Sequence, residues 1–195
     1  MNARISGVLA EVHDLYRDRM PTVDYLADQG IDINAVAGFC GSPTVLPITL
    51  LPNRLFDLPD HGAETIDGVV IEARGEDGET IIDLVAWPVA NATDIHTLCG
   101  AAPMLGLWQA FNAATYVFDV PLVMHRTPLA WLQAGCNGAA VVVPQLAVRV
   151  FLEIADIGGR LGAEDFDHAR ELRRHLDAMT KRVEIIAPKP IRRAA

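Results

Sequence analysis

Residues 121–143, PLVMHRTPLAWLQAGCNGAAVVV, decide the fold. PLVMH has the apolar run of a short strand. Thr127 then suits a helix N-cap, and Pro128 suits the first helical position, where its missing N–H would have no partner anyway. Leu129, Trp131 and Leu132 give the helix an apolar surface, and Gly135 stops it. Residues 139–143 come next as an unbroken apolar strand, the pattern of a strand covered on both faces. The unit reads as βαβ. Ligands of open α/β sheets bind at the carboxyl ends of the strands, so the turn His125-Arg126-Thr127 is the expected binding crevice.

Working outward, VVIEA (69–73) and TIIDLVA (80–86) flank GEDGE and predict a β-hairpin turning on Asp77-Gly78. Ile5, Val8, Leu9, Val12, Leu15 and Tyr16 keep helical spacing until Pro21 interrupts it. A second short helix runs to Gln29 and stops at Gly30. Residues 38–59 carry Pro43, Pro47, Pro52 and Pro59 and read as loops around short edge strands at 48–51 and 54–58. Cys40 falls in the loop GFCGSP, and a third strand or irregular segment crosses residues 96–99. GAAPMLGLWQAFN reads as a loop leading to a short helix that carries Leu107, Trp108 and Phe111. Past the βαβ unit, Pro144 starts a helix with Leu146, Val150, Phe151 and Ile154 on one face. A last helix, from about Asp165 to Lys181, turns Phe166, Ala169, Leu172, Leu176 and Met179 inward.

The predicted class is α+β: N-terminal helices, an antiparallel β-hairpin region and a C-terminal βαβ-containing α/β half. The expected divisions are a helical segment over 1–40, an α/β core over 41–182 and a basic tail over 183–195.

Charge is unevenly placed. Residues 1–159 hold seven arginines, no lysine and 19 acids, a net of −12, whereas residues 160–195 carry +3. An acidic body disfavours nonspecific nucleic-acid binding, although the tail KRVEIIAPKPIRRAA could touch phosphate or an acidic protein. Lysine occurs only at Lys181 and Lys189, which excludes a Walker-type or Schiff-base lysine in the body. No apolar run reaches the about 20 residues that span a bilayer. Charge also comes too early at the N-terminus for a secretory signal. A cytoplasmic protein without membrane attachment is the expectation.

The chemistry-bearing candidates are few. Ser6 and Ser42 are the only serines, and neither sits in a G-x-S-x-G elbow. Cys40, Cys99 and Cys136 form no C-x-x-C pair, and Cys136 is expected as a buried thiol. Trp87, Trp108 and Trp131 are expected in the core rather than on a nucleic-acid platform. Arg126 could clamp a phosphate or carboxylate, and His125 could act as an acid or base near neutrality. Asp165 and Asp167 could share Mg²⁺, or could cap and charge the N-terminus of the last helix. His168, Glu171 and His175 share a helix face that could hold a metal or could be an ordinary charged surface.

MHRTPLAWLQAGCNGAAVVVP resembles the opening βαβ of a Toprim domain, the module of primases and topoisomerases. EDFDHARELRRHL resembles its later D-x-D-x-A segment, carried here by Asp165, Asp167 and Ala169. The hairpin VVIEARGEDGETIIDLVAWPV is similar to the strand-DG-strand unit before Toprim in some plasmid and phage primases. The resemblance covers roughly residues 68–180 and extends to uncharacterised proteins of bacterial genomes and prophages. It implies an acidic residue at the end of the first strand, yet residues 123–125 contain none. The resemblance thus implies a Toprim-like scaffold that lacks its catalytic centre. The expected function is therefore non-catalytic binding of a protein partner in a bacterial or mobile-element system, through the 125–127 crevice and with no cofactor. One alternative is a Mg²⁺-dependent nuclease or primase using Asp165 and Asp167 with a further acid such as Asp83 or Glu72. Another is an acidic inhibitor of a nucleic-acid-binding host protein.

Overall fold

The structure, a computed structural model, describes residues 3–16, 21–59 and 62–180. The expected basic tail lies outside the described residues, as do Lys181 and the side chains of Leu15, Tyr16 and Met179.

Three helices come first: α1 (Ala3–Tyr16), α2 (Pro21–Asp28) and α3 (Ile33–Cys40). Pro21 opens α2, as its fixed φ allows. Gly30, at φ +69°, ends the turn after it. Helix α3 is an addition to the elements expected from the sequence. It is capped by Asp32, whose side chain accepts from Asn34 N at 2.9 Å. Cys40 is therefore the buried last residue of a helix, not part of a loop.

Five strands then close into a small barrel: β1 (Thr44–Leu51), β2 (Leu55–Asp57), β3 (Ile66–Arg74), β4 (Ile81–Pro88) and β5 (His96–Thr97), in the order β1-β2-β5-β4-β3. All pairs are antiparallel except β2 with β5. Strand β1 starts earlier than the sequence pattern suggests, because Pro47 is tolerated within it. Residues 44–48 pair only with β3 and residues 49–51 only with β2, so Pro47 needs no N–H on its open side. Part of that open side is served by α2, where Thr22 Oγ1 accepts from Val45 N at 3.0 Å. The β3–β4 turn is as expected, with Gly78 at φ +72° and Asp77 accepting from the backbone N–H groups of Glu79 and Thr80.

Alternation along β3 and β4 feeds two cores. Val70, Leu84 and Ala86 join Ile5 and Val12 of α1, with Leu46, Ile48 and Phe56. Val69, Ile71, Val85 and Trp87 join α2, α3 and the second half of the molecule. Both faces are covered, which is why apolar residues stand at successive positions in Val69-Val70-Ile71 and in Leu84-Val85-Ala86-Trp87.

The second sheet contains β6 (Met104–Leu105), β7 (Leu122–His125), β8 (Ala139–Val141) and β9 (Leu161–Ala163), ordered β6-β8-β7-β9. Strand β7 runs parallel to β8 and to β9, and β6 runs antiparallel to β8. The helix α4 (Leu107–Ala110) and a 3₁₀ segment (Ala113–Asp119) lead into β7; α5 (Pro128–Gln133) joins β7 to β8. The predicted βαβ stands, with Thr127 Oγ1 accepting from Ala130 N at 3.1 Å as the N-cap of α5.

Helices α6 (Pro144–Asp156) and α7 (Phe166–Thr180) complete the chain. Ala147, Val150, Phe151 and Ile154 of α6 pack on Met104, Leu122, Met124 and Ala139, while Leu146 is exposed, contrary to expectation. Helix α7 is also rotated from its expected phase. Phe166 is 87% exposed and Ala169 is exposed, while His168 and Leu172 are buried and Leu176 is half-buried. The reason is polar: Asp165 caps the helix and is tied to Arg126, and this anchor sets the rotation.

Two buried polar side chains hold backbone segments in place. Asp83, fully buried at the end of the barrel, accepts backbone N–H bonds from Leu84, Cys99, Ala101 and Ala102 at 2.6–3.3 Å. Gln109 donates to Cys136 O at 2.6 Å and accepts from Gly138 N at 2.9 Å, holding the turn between α5 and β8. Trp87 and Trp131 are buried as expected, and half-buried Trp108 stacks on Phe39 with ring centroids 5.6 Å apart.

Candidate functional site

A crevice of about 550 Å³ opens where the carboxyl ends of β7 and β8 meet α7 and the barrel. Sheet topology explains its position. The chain leaves β7 through α5 to reach β8 on one side, then crosses through α6 to β9 on the other, so the turns after β7 and β9 lie side by side. His125, Arg126 and Thr127 line it, as the βαβ reading expects. His168, Glu171 and His175 line its opposite wall. Two candidate groups that are separate in the sequence thus face one cavity.

Each wall residue is held by an identifiable contact. His125 Nε2 lies 2.8 Å from Asn137 O, and its Nδ1 lies 3.3 Å from Glu164 Oε1. Both partners are acceptors, so each contact is a hydrogen bond only when the ring nitrogen facing it carries the proton. Gly138, at φ +93°, makes the close packing feasible. A Cβ there would collide with the Val123 carbonyl and crowd the His125 ring.

Arg126 donates twice to Asp165, Nη1 to Oδ2 and Nη2 to Oδ1, both at 2.8 Å. The same carboxylate caps α7, with Oδ1 accepting from Asp167 N and His168 N at 2.9 Å. The Arg126 hydrogen bond, reinforced by the His168 backbone N–H, holds the Asp165 carboxyl down to about 2. The Arg126 guanidinium is correspondingly raised.

His168 is 3% exposed, and its Nδ1 accepts from Glu164 N at 3.3 Å. Its proton in the neutral ring therefore resides on Nε2. Burial pushes its pKa down, with the nearby Glu164 charge opposing. Thr127 lines the crevice, but its hydroxyl is already engaged in capping α5.

Asp165 and Asp167 do not face a common point. Asp165 turns to Arg126, whereas Asp167 pairs with Arg170 at 2.7 Å and lines a separate surface depression with Arg173 and Arg174. The other acids weighed for a metal centre are engaged elsewhere: Asp83 clamps the segment after β5, and Glu72 pairs with Arg74 at 2.9 Å. Among the described residues no three His, Cys, Asp or Glu side chains are grouped so as to hold a metal ion. Asp165 and Asp167, so engaged, do not present a shared set of oxygens to a Mg²⁺ ion.

Sequence reasoning missed the barrel's contribution. Arg54, Thr93 and Ile95 form the far wall. Arg54 sits in a 3₁₀ turn (Pro52–Arg54) with φ +57°, after Asn53 at φ +63°. The only local signal is Pro-Asn, a turn-forming pair that says nothing about what the next side chain faces.

Fold and crevice define a two-sheet α+β protein: a closed five-stranded barrel and a four-stranded mixed sheet, with a cleft at the strand ends of the α/β half. No family model, curated protein or solved structure matches the chain. Among the described residues no helix is long and apolar enough to cross a membrane.

Proposed function

We infer that this is a non-catalytic binding protein on a Toprim-like scaffold that engages a protein partner through the crevice at His125, Arg126 and Thr127. The observation that carries this reading is the Arg126–Asp165 pair. A metal-dependent site needs carboxylates free to converge on a cation. Here the Arg126 guanidinium takes both oxygens of Asp165, and Asp167 is turned to Arg170. The charge that a divalent ion would neutralise is already neutralised by the chain. Arg54, Thr93, Gln145 and His175 around the rim supply hydrogen-bonding groups for recognition, and a bacterial or mobile-element system is the proposed setting.

Calorimetric titration of Mg²⁺ and Mn²⁺ into the protein, beside the Asp165→Ala/Asp167→Ala variant, tests the reading. No saturable binding is expected in either. Saturable binding lost in the variant would overturn it in favour of a metal-dependent nucleic-acid enzyme. A positive arm uses affinity capture with wild-type protein and with Arg54→Glu/His175→Glu, which alters the rim and leaves the Arg126–Asp165 pair intact. A partner retained equally by both would show that the crevice is not the binding surface.

A further inference from the structure

One wall of the crevice is the start of α6, and the first turn of that helix has no side-chain cap. Val143, in the N-cap position, offers no polar side-chain group. Pro144 has no N–H, while Leu146 N and Ala147 N both donate to Val143 O at 3.0 Å. The N–H of Gln145 is left without a partner among the described residues. Pro144 and Gln145 both line the cavity, so the positive end of a 13-residue helix opens into it.

A second donor, independent of that helix, comes from α7. His168 is 3% exposed and lines the same cavity. Its Nδ1 accepts from Glu164 N, which leaves the ring proton on Nε2. That N–H has no partner among the described residues, and it is not sealed from solvent. A buried ring thus turns an unused donor to the crevice. The barrel supplies a third. Arg54 is exposed, lines the crevice and, unlike Arg126, is paired with no acid among the described residues. Three donors therefore reach one cavity from three separate elements. A planar carboxylate takes its hydrogen bonds near its own plane, whereas a phosphate offers oxygens in several directions.

We propose that the crevice is a phosphate-binding site, with the Gln145 N–H, the His168 Nε2–H and the Arg54 guanidinium as its donors, and that it takes the phosphate of a phosphorylated side chain on the protein partner. Assigning the phosphate to a partner rests on the crevice being the protein-binding surface, as inferred above; a free phosphomonoester carries the same group. A cavity of about 550 Å³ has room for the residue that bears it. Among the described residues Glu171 is the only acid lining the crevice. It repels the anion, so its neutralisation should tighten binding.

The test titrates the isotope-labelled full-length chain with inorganic phosphate and with N-acetyl-O-phosphoserine amide, followed by NMR at constant ionic strength with chloride as control. Saturable shifts are expected at the amides of Gln145 and His168 and in the His168 ring. Arg54→Gln should weaken both ligands about tenfold, the effect of losing one charge-assisted hydrogen bond, and Glu171→Gln should tighten both. Arg54 makes no side-chain hydrogen bond among the described residues, so an unchanged spectrum outside the crevice shows that its variant is folded. Tighter binding of the phosphoserine amide than of phosphate assigns the source to a partner's side chain. Equal or weaker binding keeps the site and assigns it to a free phosphate. The proposal is overturned by shifts that do not saturate, by the same shifts with chloride, by saturation only in residues 181–195, or by an Arg54→Gln variant that binds as wild type does. The partner reading fails separately. If phosphate does not bind but Arg54→Glu/His175→Glu loses a captured partner, the crevice remains the protein surface and the phosphate is wrong. If phosphate binds and that variant keeps its partner, the site stands for a free phosphate and the protein surface lies elsewhere.

Discussion

Arg126 and Asp165, 39 residues apart, meet through two 2.8 Å hydrogen bonds and tie the turn after β7 to the turn after β9. Asp165 serves two structures at once, because the oxygen that receives Arg126 Nη2 also caps α7. Strand order makes the contact feasible, since β9 returns to the side of β7 opposite β8.

The two roles of Asp165 separate by substitution. Asp165→Asn keeps a cap but loses the charged pair, whereas Asp165→Ala loses both. The expected order of melting temperatures is wild type, then Asn, then Ala, with about 2–4 °C between Asn and Ala. Arg126→Ala should resemble Asp165→Asn. Thermal denaturation of the three variants checks the order, and Asn melting with Ala would remove the cap from the explanation.

Stability should fall with acidity in two limbs. His168 has a lowered pKa in the folded protein, so the unfolded chain binds its proton first as pH falls through about 6.5. Its contribution is complete above that pH and lost below it. Asp165, held down to about 2, contributes above the ordinary value of 3.8 and loses that contribution as pH falls towards about 2. Urea titrations from about pH 8 to about pH 3 should show both limbs, and His168→Asn should flatten the upper one while leaving the lower.

Gly138→Ala should cost about 3 kcal/mol or more, combining a positive φ with a Cβ driven into the Val123 carbonyl. Gly135→Ala carries a similar φ with nothing within 4 Å of its Cβ, and should cost about 1–2 kcal/mol. Chemical denaturation of the pair measures the steric part as the difference. Equal costs would mean that the backbone at 138 relaxes away from β7.

Asp83→Ala should be among the most damaging single changes, at about 3 kcal/mol or more, because it orphans backbone N–H groups that one buried carboxylate now serves. Asp83→Asn should recover only part of the loss, since its amide has one acceptor oxygen in place of two. Denaturant midpoints of both variants, with circular dichroism to confirm folding, check this. A neutral Asp83→Ala would show that the segment after β5 is not held by these bonds.

Where the chemistry is local, the sequence is legible. Thr127-Pro128 starts α5 because the cap and the fixed φ act within four residues, and Asp77-Gly78 turns the β3–β4 hairpin for the same kind of reason. Helix α3 and strand β6 are not visible in it. Asp32 and Gly41 bracket only eight residues of α3, and β6 is two residues long and exists only through its pairing with β8. The phase of α7 is misleading for another reason: apolar spacing favours Phe166 and Ala169, while the ion pair to Arg126 turns His168 inward.

By itself the sequence determined the α+β class, the βαβ unit with its carboxyl-end turn, the main hairpin and the acidity of the body. These depend on backbone preferences and apolar periods that need only near neighbours. Tertiary structure alone decided that the β region closes as a barrel, that Arg54 joins His125 and His168 around one crevice, and that Asp165 meets a guanidinium. Each of these depends on contacts between distant segments, whose geometry is set by how two sheets and their helices bury shared apolar faces rather than by any short run of residues.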